Sequence, residues 1–188
     1  MQDFEKFYNI ALRFLSYRPR SEKEVRDKLV EFARKRNKKV ATTETQNENE
    51  TQNFSASKKL SDSVVAGETS IVDRVINKLK EQKFLNDEEF VKWWIESRLR
   101  FKPRSLRLIK LELKQKGISD EIIESGIGNQ ELGIENDLEQ AKKLVEKRIG
   151  RVKNLSNKEI YQKLGSYLAR RGFDWDTIKH SIDELIFK

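Results

Sequence analysis

Three serine residues, Ser21, Ser105 and Ser156, each stand at the start of the same short residue pattern. A β-branched residue follows each serine after four positions and a leucine follows after eight, giving the pairs Val25 and Leu29, Ile109 and Leu113, and Ile160 and Leu164. A spacing of four places each pair on one face of an α-helix, and serine is a favoured helix N-cap. The chain is therefore predicted to contain three copies of one helical unit.

Each unit is predicted to be completed by further helices on either side of this one. Gly117 in the second copy and Gly172 in the third combine a glycine helix stop with a new cap a few residues later. Apolar residues recur at spacings of three and four, and no strand-like alternation interrupts them. We predict an all-α fold of three tandem three-helix, helix-turn-helix-like repeats that form an elongated curved array.

The predicted modules cover residues 1–85, 86–130 and 137–188. Between about Arg36 and Ser70 the composition changes, and large apolar side chains become rare in stretches such as TTETQNENETQN. A segment of this kind gains too little from burial to offset the entropy lost on ordering. We therefore predict a flexible insertion at about 36–70 within the first module.

The overall charge favours an anionic partner. Lys and Arg number 39 against 31 Asp and Glu, which gives a formal net charge of +8 and a pI near 9.5. Nucleic acid or an acidic protein surface fits this balance best.

Several protein classes are disfavoured by what the sequence lacks. It contains no cysteine, so disulfides, thiol nucleophiles and thiolate metal sites are excluded. Its opening residues do not resemble a signal peptide, and no apolar run approaches the roughly 18 residues of a membrane span. No phosphate-binding loop, nucleophile elbow or HExxH pair is present. We expect a cytoplasmic protein without catalytic activity, cofactor, metal site or membrane contact.

Two stretches concentrate positive charge, and they occupy corresponding parts of the second and third modules. From Arg98 to Lys116 the only acidic residue is Glu112. Arg107, Lys110 and Lys114 share a helix face in this stretch, beside an apolar face. A solvated helix face is the alternative interpretation. The candidate binding residues are Arg98, Arg100, Arg104, Arg107, Lys110 and Lys114, together with Lys147, Arg148, Arg151, Lys153, Lys163, Arg170 and Arg171.

The remaining candidate residues are assigned to structure rather than chemistry. Trp93 and Trp94 could stack nucleobases, as aromatic side chains do in single-strand binding proteins. Trp94 follows Phe90 by four residues, so we favour core positions for both tryptophans. His180 lies off the apolar stripe of its helix without a plausible partner nearby in sequence, and we assign it no chemistry.

Three separated motifs resemble the RecX family, in the family's order. ALRFLSYRPRSEKEVRDKL resembles its opening helix, RPRSE turn and second helix. FLNDEEFVKWWIESRL, followed by KPRSLRLIKLELKQKGIS, is similar to its central module, and RRGF at 170–173 resembles its closing turn. The resemblance covers essentially everything outside the insertion. The long insertion and the use of Asn154-Leu155 where a proline turn is usual are departures from the family pattern.

The resemblance implies a regulator, usually an inhibitor, of the RecA recombinase. Such proteins lie in the helical groove of the RecA nucleoprotein filament and bridge neighbouring subunits. They restrain filament growth, ATP hydrolysis, strand exchange and the coprotease action on the SOS repressor during DNA repair and homologous recombination. We expect RecA and its filament as partners, weak sequence-independent DNA binding, and a monomer.

Two alternatives remain open from the residues alone, namely a helix-turn-helix-type DNA-binding protein and a helical adaptor for another protein. A sequence-reading recognition helix presents base-reading side chains such as Asn, Gln and Arg near its N-terminus. The corresponding helices here carry mainly Lys, Glu and aliphatic residues. The sequence therefore favours the filament regulator.

Overall fold

The computed structural model describes residues 2–44, 70–128 and 134–186, and every regular element within these ranges is an α-helix. The helices are α1 Gln2–Leu15, α2 Glu22–Glu44, α3 at 70–81, α4 Asp87–Phe101, α5 Leu106–Gln115, α6 Asp120–Gly128, α7 Ile134–Ile149, α8 Asn157–Ala169 and α9 Trp175–Ile186. The predicted all-α class is confirmed.

The three predicted serine caps are present. Ser21 Oγ accepts the Glu24 N–H at 3.2 Å, and Glu24 Oε2 accepts the Ser21 N–H at 3.4 Å. Ser156 and Glu159 form the same reciprocal capping box at α8. Ser105 accepts an N–H from the first turn of α5. The β-branched residues and leucines that follow the serines by four and eight positions are all buried, as predicted.

The chain divides into two compact units, Met1–Asp87 and Glu88–Lys188. The first unit has one apolar cluster, which includes Phe7, Val25, Leu29, Val75 and Leu79. The second unit has two clusters. One includes Phe90, Ile95, Ile109, Leu113 and Ile123, and the other includes Ala141, Val145, Leu164, Leu168 and Ile182. The exact boundaries of the three modules stay a prediction.

The insertion predicted at about 36–70 overlaps the end of α2 and stays a prediction. Helix α2 does not end near Arg36 but continues to Glu44. Residues 36–44 contain no glycine or proline, and adding residues to an existing helix needs no new nucleation. The helix can therefore continue through these residues. The rest of the predicted insertion, 45–69, lies outside the described residues.

The start of α5 joins the second module to the third. The Leu106 N–H donates to Asp137 Oδ1 at 2.9 Å, and the Ser105 N–H donates to the Arg171 carbonyl at 3.0 Å. Arg171 donates in return from its guanidinium to the Pro103 carbonyl at 2.9 Å. The first N–H groups of a helix have no partner within the helix. Here the third module supplies those partners.

A related contact lies in the first unit. The Glu22 N–H, which follows the Ser21 cap, donates to Asp87 Oδ1 at 2.9 Å. Leu106 likewise follows the Ser105 cap, so Asp87 and Asp137 perform the same task. Burial raises the pKa of both carboxyl groups, although the N–H donors act in the opposite direction.

Two substitutions of Asp137 distinguish the contribution of its hydrogen bond from that of its charge. We expect Asp137→Ala to lower the free energy of unfolding by about 1–2 kcal/mol, because an N–H at the start of α5 loses its acceptor. Asp137→Asn keeps an acceptor oxygen and should cost clearly less. Because the folded-state pKa of Asp137 is raised, the wild type should gain stability relative to Asp137→Asn as the pH falls through that pKa. Urea denaturation at several pH values measures both effects, and equal losses in the two variants would contradict this role.

Gly172 permits the close approach of the turn before α9 to α5. Its φ is +89°, and a Cβ added there would lie 2.5 Å from Ser105 Oγ and 2.7 Å from Leu108 Cβ. We expect Gly172→Ala to destabilise the protein by about 2 kcal/mol or more, through both backbone strain and overlap. Gly150→Ala is the matched control, because a Cβ there meets nothing within 4 Å. Thermal unfolding followed by circular dichroism compares the two, and similar melting temperatures would contradict the close approach.

Candidate functional site

Glu112, the only acid in the basic stretch, lies at the centre of a polar cluster between α4 and α5. Its side chain is 12% exposed. Glu112 Oε2 accepts from Trp94 Nε1 at 2.9 Å and from Arg98 Nε at 2.7 Å. Arg104 forms an ion pair with the other carboxylate oxygen. The Arg98 guanidinium also lies 4.0 Å from the centre of the Trp94 ring.

Two of the predicted binding residues, Arg98 and Arg104, therefore have contacts within the module itself. Desolvation lowers the pKa of both Arg98 and Arg104, as expected for partly buried guanidinium groups. Their partner, Glu112, holds them against α4 and α5. Arg104 therefore holds the turn that carries Pro103 and Ser105 against α5, and both arginines present less of their charge to solvent than the sequence pattern indicates.

The predicted charged face of α5 is present but partly neutralised. Lys110 Nζ lies 2.7 Å from Glu124 Oε1, and Lys114 Nζ lies 2.7 Å from Asp120 Oδ1. Arg107 is exposed and forms no ion pair within the described residues. Arg100, near the end of α4, is also exposed, with its guanidinium 5.3 Å from the centre of the Phe101 ring.

The positive set of the third module is divided in the same way. Arg148 and Arg171 both lie against Tyr167, with guanidinium carbons 3.8 Å and 4.6 Å from the ring centre. Arg171 also belongs to the joint with the Pro103 turn. The other members are exposed and make no ion pair within the described ranges, and they are Lys147, Arg151, Lys153, Lys163 and Arg170.

Two of the side-chain interpretations can be compared with the structure. Trp94 is in the core, as predicted, whereas Trp93 is half-buried at its edge. The expectation that His180 lacks a nearby partner is wrong, because its Nε2 lies 3.3 Å from Glu184 Oε2. The spacing of four residues was a sufficient signal for this pair. Lys142 Nζ lies 2.6 Å from the same Glu184 oxygen and links α7 to α9.

The residues that sequence reasoning missed are those that hold the cations or complete the cap of α5. Asp137 and Tyr167 are far in sequence from some of the groups they contact. Asp120 and Glu124 belong to the helix that follows α5, so an antiparallel pairing of the two helices could have suggested them. No three histidine or acidic side chains in the described part of the chain are placed to hold a metal ion. Within the same ranges, no helix is long and apolar enough to cross a membrane.

Comparison with known proteins decides the family. Models of the first, second and third three-helix domains of RecX match residues 8–31, 86–127 and 135–182. The chain belongs to the RecX family. The three matched domains confirm the predicted fold of three three-helix repeats.

Relatives and solved structures agree with this family. The chain is 31% identical over 186 residues to Regulatory protein RecX of Bacillus subtilis (strain 168), covering 99% of this chain and 57% of that protein. It is 30% identical over 182 residues to Regulatory protein RecX of Bacillus velezensis, covering 97% and 56%. The chain thus spans a little more than half the length of these relatives. The crystal structure of RecX from Lactobacillus salivarius matches with a TM-score of 0.64 at 26% identity, covering 100% of this chain and 99% of that one.

Removing the charge of Glu112 tests its role in the α4–α5 cluster. In Glu112→Gln the amide can still accept from Trp94 but cannot neutralise Arg98 and Arg104. We expect a loss of about 1–3 kcal/mol in the free energy of unfolding, because partly buried guanidinium groups lose their counter-ion. Glu146→Gln, an exposed position on α7, is the control and should change stability by less than about 0.5 kcal/mol. Urea denaturation measures both, and a negligible effect at Glu112 would contradict the cluster's importance.

Proposed function

We propose that the protein regulates RecA by binding the RecA–DNA filament and restraining RecA's ATP hydrolysis, strand exchange and coprotease activity. It acts without catalysis or a cofactor of its own, in the cytoplasm and as a monomer. Membership of a family of regulatory proteins, together with two sets of exposed cations in one compact unit, is the observation that carries the proposal.

The proposed contact surface contains fewer residues than the sequence predicted. It consists of those predicted binding residues that are exposed and make no ion pair within the described residues, and we call it the open basic surface. Its members are Arg100, Arg107, Lys147, Arg151, Lys153, Lys163 and Arg170. Each can bind an acidic side chain or a phosphate without first breaking an internal ion pair. Lys110 and Lys114 contribute at a lower level, because their exposed ion pairs are weak and exchangeable.

The four remaining predicted arginines contact groups inside the same compact unit and stabilise the elements that carry the surface. Arg98 and Arg104 bind Glu112, and Arg148 and Arg171 bind Tyr167. Arg171 also holds the joint between the second and third modules. A fixed joint keeps the two sets of exposed cations in one arrangement, which reduces the entropy lost when both engage a regular filament.

RecA-catalysed ATP hydrolysis on single-stranded DNA tests the proposal. Wild-type protein, titrated at substoichiometric amounts relative to RecA, should suppress hydrolysis. Arg107→Glu should require about tenfold more protein for the same suppression, since attraction at an exposed interface position becomes repulsion. Co-sedimentation with the filament provides a direct measure of binding.

The matched control is Lys92→Glu, which makes the same change in net charge at an exposed position of α4. It should inhibit as the wild type does. Equal weakening by both substitutions would indicate a response to net charge rather than to the proposed surface. If the wild-type protein neither suppresses hydrolysis nor sediments with the filament, the proposed function is wrong. A tight, salt-resistant preference for one duplex sequence would instead support the DNA-binding alternative.

A further inference from the structure

A groove of about 590 Å³ runs along α5, between that helix, α6 and the turn that contains Gly172. Leu108 and Leu111 form its apolar floor, and Leu111 is 50% exposed. An exposed leucine is unremarkable by itself. Here it lies within a concave surface whose volume is in the range that holds a few side chains.

The rim of this groove is charged but not uniformly positive. Lys110 and Lys114 are held by Glu124 and Asp120, and all four side chains are at least 36% exposed. Ion pairs at this exposure contribute little and can exchange partners. Arg107 lines the same groove without an ion pair in the described residues. The rim therefore offers one open cation and two that can turn toward an incoming carboxylate.

These features fit a peptide better than a nucleic acid. Interfaces with nucleic acid are strongly positive and polar, whereas this groove has a mixed-charge rim around an apolar floor. No aromatic side chain is among the described residues that line the groove, so these residues offer no base-stacking platform. The leucine floor instead suits an aliphatic or aromatic side chain surrounded by a few acids.

We propose that the groove binds a short acidic peptide segment of a partner protein. One bulky apolar side chain of that segment lies between Leu108 and Leu111, and a flanking carboxylate pairs with Arg107. This proposal deepens the proposed function, on which it rests, by assigning part of the open basic surface to protein rather than to DNA. The exposed cations of the third module are left for phosphate contacts.

A peptide array tests the chemistry of the groove directly. The array carries heptapeptides with zero to four glutamates and with or without a central Leu or Phe, beside matched peptides in which Lys replaces Glu. The full-length protein should bind the peptides that combine acids with an apolar residue. Leu111→Ser should weaken this binding about tenfold or more, because the apolar contact is lost. Arg107→Gln should weaken it less and reduce its salt dependence.

Two controls locate the effect in the groove. Phe101→Ser removes another exposed apolar side chain, 71% exposed and outside the groove lining, and should leave peptide binding unchanged. Binding to a fluorescent single-stranded oligonucleotide should be unchanged in Leu111→Ser. Circular dichroism verifies that each variant keeps its helices.

The outcomes separate this proposal from the proposed function. Binding that follows glutamate number alone, that survives Leu111→Ser, or that does not exceed the level of a Gly-Ser peptide would overturn the groove proposal. A protein that binds acidic apolar peptides through Leu111 but does not affect RecA would refute the proposed function and retain the groove. If the wild-type protein binds none of the acidic apolar peptides, while it and Leu111→Ser suppress RecA's ATP hydrolysis equally, the groove proposal alone is refuted.

Discussion

The hydrogen bonds at the start of α5 are the contacts on which the arrangement of the second unit depends. The N–H groups of Ser105 and Leu106 need acceptors, and the turn at Pro103 needs a contact that fixes its position. Arg171 and Asp137 supply them from the third module. Helix α5 carries Glu112 on one side and the groove-lining residues on another. The positions of Glu112 and of the groove therefore depend on the hydrogen bonds at the N-terminus of α5.

Positive charge in this protein has two uses that composition cannot distinguish. Arg98, Arg104 and Arg171 contact carboxylate, carbonyl and aromatic groups within the unit, where a planar guanidinium can bond and stack at once. The exposed set in α7, the following turn and α8 consists largely of residues without ion pairs in the described ranges. Of the thirteen predicted binding cations, seven are therefore exposed without an ion pair in the described ranges.

Local features of the fold were predictable from sequence, and non-local ones were not. The serine caps and the buried residues four and eight positions later depend on helix geometry within a few residues. In contrast, Leu106 and Asp137 are 31 residues apart, and Arg171 and Pro103 are 68 apart. Nothing in the serine pattern specifies which acid completes a cap. The continuation of α2 to Glu44 was not predicted, because residues 36–44 carry too few apolar residues in sequence to show helical periodicity.

The same cap motif has different consequences in different modules, according to its burial. Ser21 and Ser105 are buried, so the N–H that follows each needs a protein acceptor, and Asp87 and Asp137 provide it. Ser156 is exposed, and water can satisfy the first turn of α8 in its place. An acceptor carboxylate at a buried cap becomes costly if its N–H donor moves away, since it then remains desolvated without a partner. Asp137 therefore penalises separation of the second and third modules, which makes the cap of α5 a specific contact rather than a general apolar one.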